Sequence, residues 1–511
     1  MKTIYFGFLA MILPTLSLAQ TTAVQDSIPE IQLEEVKLAG LRIDQDQPFS
    51  FSNVDKEELA SRNLGQDLPI MLNYLPGVVT TSDAGAGIGY TGIRVRGSDA
   101  TRVNVTINGI PYNDAESQGV YWVNMPDFTS SVSSLQIQRG VGTSTNGSGA
   151  FGASINLLTD EVSQNAYAEI ANTVGSFNSL KHTLKFSTGL LNNHFEVSGR
   201  LSKITSDGYV ERASSDLKSY FLQAAFQDEN TLIKALVFGG HEITYQSWFG
   251  VDKNTLDTNR QYNPAGEIYD DNGNLEGHYD NQEDNYRQDH YQLHWNQKID
   301  AYTSLSLGLN YTYGRGYYEE YKDLWFEQNI NFSSDNNFSY LGLKSIKIGG
   351  TIIDTTENIV RKWLDNDYYV ATFSLNRQKG NTEWSLGTLY SRYVGDHFGE
   401  LIFANYAPGV SPRYRFYENQ GNKKEGNVYA KVNHRFNDRI SGYLDLQYRG
   451  ISYTAYGNLK GPDPINVDQN YDFFNPKAGL VYTLNLNNKF YISIARAHRE
   501  PSRADFENGN P

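Results

Sequence analysis

The sequence predicts a mainly β protein in which a small α+β domain at the N-terminus sits inside a large antiparallel transmembrane β-barrel. Three observations predict it. From Ala166 onward, runs with period-two alternation follow one another along the chain. Their connectors alternate between short and long, as the two rims of an outer-membrane barrel require. Ahead of them, Gly92 to Thr159 is a glycine-rich stretch of short strands in which arginines stand beside glycines, as in Gly92-Ile-Arg-Val-Arg-Gly97 and Leu135-Gln-Ile-Gln-Arg-Gly140.

The first residues set the compartment. Lys2 precedes a short apolar run, Ile4 to Leu18, and Ser17-Leu18-Ala19 supplies small residues at the cleavage positions. Residues 1–19 read as a secretory signal peptide, too short for a spanning anchor. No later stretch has the length of a spanning helix. A membrane can then be crossed only by a closed sheet, whose backbone groups find partners within it. Composition agrees. The 511 residues include no cysteine, which leaves neither disulfides nor thiolate metal sites. The mean hydropathy is negative, which excludes a helical-bundle membrane protein but not a barrel, where only alternate residues face lipid. Aromatics make up 13%, with 36 tyrosines, a ring suited to the membrane–water interface. A formal net charge of −15 argues against a nucleic-acid binder, which needs a basic surface.

Residues 20–47 form a polar, flexible segment. Within it, Ile31 to Leu38 is a short extended run that can add itself as a strand to another protein's sheet edge. Residues 48–160 have the size of a domain. Residues 53–75 carry apolar side chains at helical spacing (Val54, Leu59, Leu64, Leu68, Leu72) and are predicted helical up to Leu75-Pro76-Gly77. The period then changes to two. Val103, Val105 and Ile107 alternate with polar neighbours before the Asn108-Gly109 turn, Leu135 and Ile137 form another strand, and Ile155, Leu157 and Leu158 close the domain.

Residues 161–511 are the barrel. Leu305, Leu307, Leu309, Tyr311 and Tyr313 alternate with Ser306, Gly308, Asn310, Thr312 and Gly314, and Leu444, Leu446 and Tyr448 repeat the pattern. Each run is about ten residues, the length that crosses a membrane at a tilt. Short connectors are expected at 191–193, 227–230, 379–382, 436–439 and 485–488, and long loops at 242–285, 315–366, 397–425 and 453–472. The text holds roughly thirteen strands, where a barrel wide enough to enclose a domain needs about 22. It stops at Asn508-Gly-Asn-Pro511, in loop-like sequence. The expectation is an incomplete barrel that belongs to a longer protein.

With these residues in view, the chain resembles the TonB-dependent outer-membrane receptors over essentially its whole mature length. Leu33, Glu34, Glu35, Val36, Lys37 and Leu38 resemble the TonB box of that family. Ile93-Arg-Val-Arg-Gly97, Ile107-Asn-Gly-Ile-Pro111, Ile137-Gln-Arg-Gly140 and Gly149-Ala-Phe-Gly-Ala-Ser-Ile-Asn156 are similar to successive signatures of its plug domain. Val174-Gly-Ser-Phe-Asn178, Ser206-Asp-Gly-Tyr209 and Asn475-Pro-Lys-Ala-Gly479 are similar to its barrel motifs, and Ala495-Arg-Ala-His-Arg-Glu-Pro501 to one usually found well before the family's end. Asn108 stands where the family often has Asp, and Asp160 where Lys is common. Neither a carboxypeptidase-like extension nor a signalling domain precedes the box-like segment.

The resemblance implies active import rather than catalysis, and no cofactor. A bulky, scarce nutrient, foremost a ferric siderophore or other iron chelate, binds at the outer face. The TonB protein of the TonB–ExbB–ExbD complex pairs with the box and pulls the plug, while outer-membrane lipid surrounds the barrel. Cobalamin or an oligosaccharide is the alternative cargo within the family. A non-transporting adhesin or structural barrel is the alternative of another class.

Charges inside a barrel must be paired, so Arg94, Arg96 and Arg139 are expected to tie the plug to acidic residues on the wall. Tyr90, Arg102, Asp114, Glu116, Tyr121 and Trp122 lie on plug loops and are the candidate ligand contacts. Other motifs carry less. Gly147-Ser-Gly149-Ala-Phe-Gly152 has dinucleotide-binding spacing, but a strand follows it rather than a helix. His290 and His294 lie on one face of a strand, too far apart at about 3.4 Å per residue to share an ion, and read as lumen-facing polar groups. Asp270 to Glu276 looks like part of a calcium loop but lacks flanking helices, and reads as a hairpin tip. No nucleophile–base pair supports a surface hydrolase, and no phosphate-binding lysine motif is present.

Overall fold

Aliphatic side chains from three adjoining strands make the centre of the N-terminal domain. In this computed structural model, which describes residues 42–43, 46–147, 151–460, 463–485 and 488–509, that domain holds strands β1 (Ser50–Asp55), β2 (Val78–Ser82), β3 (Thr91–Val95), β4 (Val103–Ile107), β5 (Ile110–Pro111), β6 (Val132–Arg139) and β7 (Ala153–Thr159). The expected signal peptide and the Leu33–Leu38 segment lie outside the described residues. Five strands form one sheet in the order β1-β6-β7-β4-β5, with only β4 and β7 parallel, while β2 and β3 pair separately. Register places Leu135 opposite Leu157, Ile137 opposite Ile155, and Val105 beside Ile155. All five are at most 1% exposed. The period-two pattern thus builds one dry face.

The other face of the same sheet is polar and equally buried. Gln136 lies opposite Asn156, and Thr106 Oγ1 donates to Asn156 Oδ1 at 2.6 Å. Two buried faces, one oily and one hydrogen-bonded, suit a domain enclosed by a polar lumen rather than by water.

The predicted helix over 53–75 is broken in two. Residues 53–55 belong to β1. Helix α1 (Lys56–Arg62) is capped by Asp55, whose side chain accepts from Glu58 N at 2.9 Å, and helix α2 (Leu68–Met71) has Pro69 in its first turn. Gly65, at φ +112°, lies between them and is incompatible with a continuous helix.

Thirteen strands form a single antiparallel sheet, each next to its sequence neighbour. The first five run Ala166–Val174, Leu180–Thr188, Phe195–Ser206, Ser215–Gln227 and Thr231–Tyr245, and the rest Glu283–Lys298, Thr303–Lys322, Asn358–Lys379, Thr382–Ala404, Tyr414–Asn437, Ile440–Lys460, Asp463–Asn485 and Asn488–Ala495. The sheet is inverted in polarity. Along Leu180–Thr188 the buried positions are Lys181, Thr183, Lys185 and Ser187, while Leu184 and Phe186 are exposed. Polar groups face the inner domain and apolar ones face outward, as lipid demands. Among the described residues no helix is long and apolar enough to cross a membrane.

Strand length departs from the ten residues expected. Six of the later strands run from 20 to 24 residues. Residues 397–404, 414–425, 453–460 and 463–472, expected as loop, are the paired outer ends of these strands. Beyond the membrane a hairpin needs no apolar face, because its ladder satisfies the backbone whatever the side chains are. The true long connectors are 246–282 and 323–357. The second folds on itself, with Phe338, Leu341 and Leu343 packed against Val360, Leu401 and Phe416 of the protruding strands. The first carries a hairpin, Glu267–Tyr269 with Leu275–His278, at whose tip Asp270 accepts from the backbone N–H of Asn272 and Asn274 at 2.9 and 2.7 Å.

Candidate functional site

Buried ions join the inner domain to the wall. Asp127 sits in the left-handed region at φ 54° and its side chain is fully buried. From the wall, Lys181 Nζ reaches Oδ1 at 2.7 Å, Arg200 Nη1 lies 3.3 Å from Oδ2, and Thr183 and Ser202 hydroxyls donate at 2.7 and 2.6 Å. Arg200 also donates to Ser131 Oγ and the Pro126 carbonyl of the inner domain, at 2.9 and 3.3 Å. Burial alone would raise the Asp127 carboxyl. The Arg200 and Lys181 charges overcome it and hold the group below the usual carboxylate range. Asp160 makes a second tie. It lies 2.8 Å from Lys56 on α1 and 3.1 Å from wall Lys185, and Lys234 Nζ donates to its carbonyl at 2.9 Å. Phe128 packs on wall Phe238 and Phe221 at ring-centre distances of 5.2 and 6.4 Å.

A third tie lies where the loop after β5 meets the wall. Glu116 receives His397 Nε2 at 2.7 Å, the Tyr453 hydroxyl at 2.6 Å and Arg503 Nη1 at 3.0 Å, and the Arg503 N–H donates to its carbonyl at 3.0 Å. Burial opposes its ionisation, but the His397 hydrogen bond and charge, with Arg503, lower it to about 2. Gly421 makes room for it, because a Cβ there would stand 2.1 Å from Glu116 Oε1.

Above these ties lies a cavity of about 750 Å³ between the loops of the inner domain and the wall. Ten tyrosines and two tryptophans are among the residues that line it, each offering a ring face with a polar tip. Its acidic and basic side chains are six carboxyl groups (Asp114, Glu116, Glu242, Asp284, Glu320, Glu507) and two cations (Lys362, Arg503). Concave, aromatic and richer in acidic than in basic groups, it has the size that encloses a drug-sized or bulkier molecule.

Four of the six candidate ligand contacts, Tyr90, Asp114, Glu116 and Tyr121, come together on this cavity. Asp114 also shapes its loop, accepting from the N–H groups of Glu116 and Ser117 at 3.1 and 2.6 Å. Two are placed elsewhere. Trp122 is 4% exposed in the core of the inner domain, because it starts a one-turn helix whose apolar side packs inward. Arg102 is exposed and paired with Asp99, three residues earlier. The three arginines expected to tie plug to wall do not. Arg139 bonds within its own domain, to the Pro76 carbonyl at 3.0 Å and Ser52 Oγ at 2.9 Å. Arg94 and Arg96 are exposed, and neither side chain has an acidic wall partner among the described residues. The polarity of the bolts is the reverse of that expected, since the carboxylates are on the inner domain and the cations on the wall. His290 and His294 face inward, bonded to Thr312 Oγ1 at 2.9 Å and Gln292 Oε1 at 3.0 Å.

The wall side of the cavity, with Tyr286, Tyr318, Lys362, Trp363, Tyr393 and His397, is the part that sequence reasoning missed. Its signal is faint, an inward parity on strands that protrude past the membrane.

Two family models match the chain: the TonB-dependent receptor plug domain over residues 44–154 and the TonB-dependent receptor-like β-barrel over residues 225–511. No curated protein matches in sequence. Among solved structures, the ferric yersiniabactin uptake receptor FyuA from Yersinia pestis aligns with TM-score 0.61 at 13% identity, over 88% of this chain and 64% of that one. The ferric citrate transporter FecA, unliganded, aligns with TM-score 0.67 at 13% identity, over 91% and 66%. The closed form of the ferric-catecholate import receptor Fiu from E. coli aligns with TM-score 0.65 at 15% identity, over 91% and 68%. At such identities the likeness is one of fold, and the chain spans 64% and 66% of the first two structures' length.

Proposed function

The chain belongs to the TonB-dependent receptors, the plugged β-barrels of the bacterial outer membrane, and from that membership we propose that it imports a bulky ferric chelate by a TonB-driven cycle. The observation that carries the reading is the aromatic cavity of about 750 Å³ set over a plug held by buried ions. The cavity takes the ligand from outside. The plug closes the path behind it and is held to the wall by buried charge pairs that must be broken to release it. Opening therefore calls for work from elsewhere, which TonB of the TonB–ExbB–ExbD complex delivers by pairing with Leu33 to Leu38 and pulling. Iron is the cargo favoured here because solved structures of like fold are those of a ferric yersiniabactin uptake receptor, a ferric citrate transporter and a ferric-catecholate import receptor. Signal peptide 1–19, linker 20–47, plug 48–160 and barrel from 161 are the working divisions of the chain.

Uptake of iron-55 chelates, measured in cells expressing the protein with and without TonB, tests the reading. Uptake confined to the TonB-positive cells is expected. Equal uptake in both ends the claim of driven transport.

A further inference from the structure

One corner of the cavity joins plug to wall through a phenol hydroxyl and holds no ion pair among the described residues. It is built from Glu242, Asp284, Tyr90, Trp248, Tyr318 and Asn124, all of which line the cavity. We propose that this corner is a subsite for a protonated primary amine carried by the imported ligand. The proposal deepens the import reading and rests on it.

Charge accounting isolates the corner. Of the six cavity carboxylates, Glu116 and Glu507 are met by Arg503, at 3.0 and 2.6 Å, and Glu320 by Lys362 at 2.9 Å. Asp114 is satisfied by two backbone N–H groups. Glu242 and Asp284 remain, and among the described residues neither has a cationic partner. Both turn instead to the Tyr90 hydroxyl, which donates to Asp284 Oδ2 and lies 3.4 Å from Glu242 Oε1, while Thr244 Oγ1 donates to Glu242 Oε2 at 3.3 Å. Glu242 is 1% exposed. Two carboxyl groups around one phenol, Glu242 buried and Asp284 half-buried, cannot both stay ionised unless a cation joins them. Burial and the two carboxylates hold the Tyr90 hydroxyl well above its ordinary range, so it stays a donor and adds no third charge.

The neighbouring charges do not fill the gap. Lys362 Nζ, 5.4 Å from the Tyr318 ring centre, is taken by Glu320 and leans toward Asp335 at 3.6 Å. His241 lies on the opposite face of its strand and meets Asn285 Oδ1 at 2.9 Å.

The remaining walls suit an organic cation. Trp248 stands edge-to-face with Tyr90 at 5.5 Å and with Tyr318 at 6.2 Å, so three rings enclose the corner, and ring faces attract ammonium groups. Asn124 belongs to the one-turn helix Trp122–Asn124, which packs against the strands that carry both carboxylates. It is 7% exposed, and its Oδ1 is a buried acceptor with no hydrogen-bond partner. The Glu242 and Asp284 carboxyl oxygens and Asn124 Oδ1 are all acceptors, which suits a cation bearing N–H groups. Among the described residues no three His, Cys, Asp or Glu side chains are grouped to hold a metal ion, and the ring faces beside the two carboxyl groups favour an organic ammonium.

Saturation-transfer NMR on the detergent-solubilised receptor, with n-butylammonium and its neutral counterpart n-butanol as probes, tests this. Butylammonium is expected to bind saturably and butanol not. Glu242→Gln with Asp284→Asn should weaken the ammonium about tenfold or more, since even one charge-assisted contact is worth that much. Trp248→Leu, on a half-exposed connector outside the buried ion ties, should weaken it several-fold and serves if the double variant does not fold. Equal signals from the two probes, or unchanged ammonium binding in the folded variants, overturns the subsite. If butylammonium binds as expected while no ferric chelate is taken up, the subsite stands and the iron reading falls.

Discussion

Asp127 shows how much one side chain carries in this protein. It is fully buried, yet ionised, because Lys181 and Arg200 on the wall and hydroxyls from both sides converge on it. Removing it strands two cations in a dry interface. Asp127→Ala is therefore expected to cost about 3–5 kcal/mol of plug docking. Hydrogen exchange of the amides of residues 122–131 should rise on the order of a thousandfold. A change within a few-fold would show that the pair is dispensable. Glu116 makes the pH-dependent tie. Its folded value near 2 lies below the ordinary 4.5. Its contribution is complete above pH 4.5 and is lost as the pH falls from 4.5 through about 2. Exchange in the 112–121 loop, corrected for intrinsic rates, should climb across that window in the wild type, and Glu116→Gln should flatten the climb. Little of this was legible beforehand. Nothing local marks Pro126-Asp127-Phe128, whose partners lie more than fifty residues on. Yet Lys181, Thr183 and Lys185 alternate with Leu184 and Phe186, and that alternation alone places lysines in the lumen and so requires carboxylates on whatever fills it.

At the scale of elements, period two was the readable signal. It found the strands around Leu305–Tyr313 and Leu444–Tyr448, and the strand that follows Gly152, because a pleat with one polar and one apolar side leaves that trace. It misjudged their ends. Where Tyr414–Asn437 leaves the membrane it has no apolar face to keep, so 414–425 read as loop though it is paired except at a bulge at Phe416. The helix expected over 53–75 failed for the opposite reason, since apolar spacing persisted across a turn centred on Gly65. Contact between elements is equally specific. Gly240 faces the plug, and a Cβ there would stand 2.4 Å from the Asn124 carbonyl oxygen and 2.8 Å from Pro126 Cδ. Backbone cannot yield as a side-chain tip can. Gly240→Ala should thus lift the 122–127 segment and cost about 1–3 kcal/mol, read as loss of exchange protection there. Gly426→Ala, which meets nothing within 4 Å, is the matched control.

The whole molecule is an inverted protein. Leucine, phenylalanine and tyrosine stand exposed along the outer face of the sheet, while lysine, arginine, glutamine and asparagine fill the inside. Fold class, sheet topology and the domain inside the barrel all followed from that inversion and from the glycine-rich opening, and the family motifs agreed with them. The cavity was half legible. Tyr90, Asp114, Glu116 and Tyr121 announced themselves as plug loops, whereas the wall that faces them depends on register between strands far apart in sequence. The central claim is that the plug is a bolted but removable stopper. Pulling the N-terminus of the membrane-embedded receptor in a single-molecule force instrument tests it most directly. The account predicts that residues 50–159 come out first, releasing about 370 Å at roughly 3.4 Å per residue while the wall stays folded, and that Asp127→Ala lowers the force required. Plug and wall unravelling together in one event would contradict it.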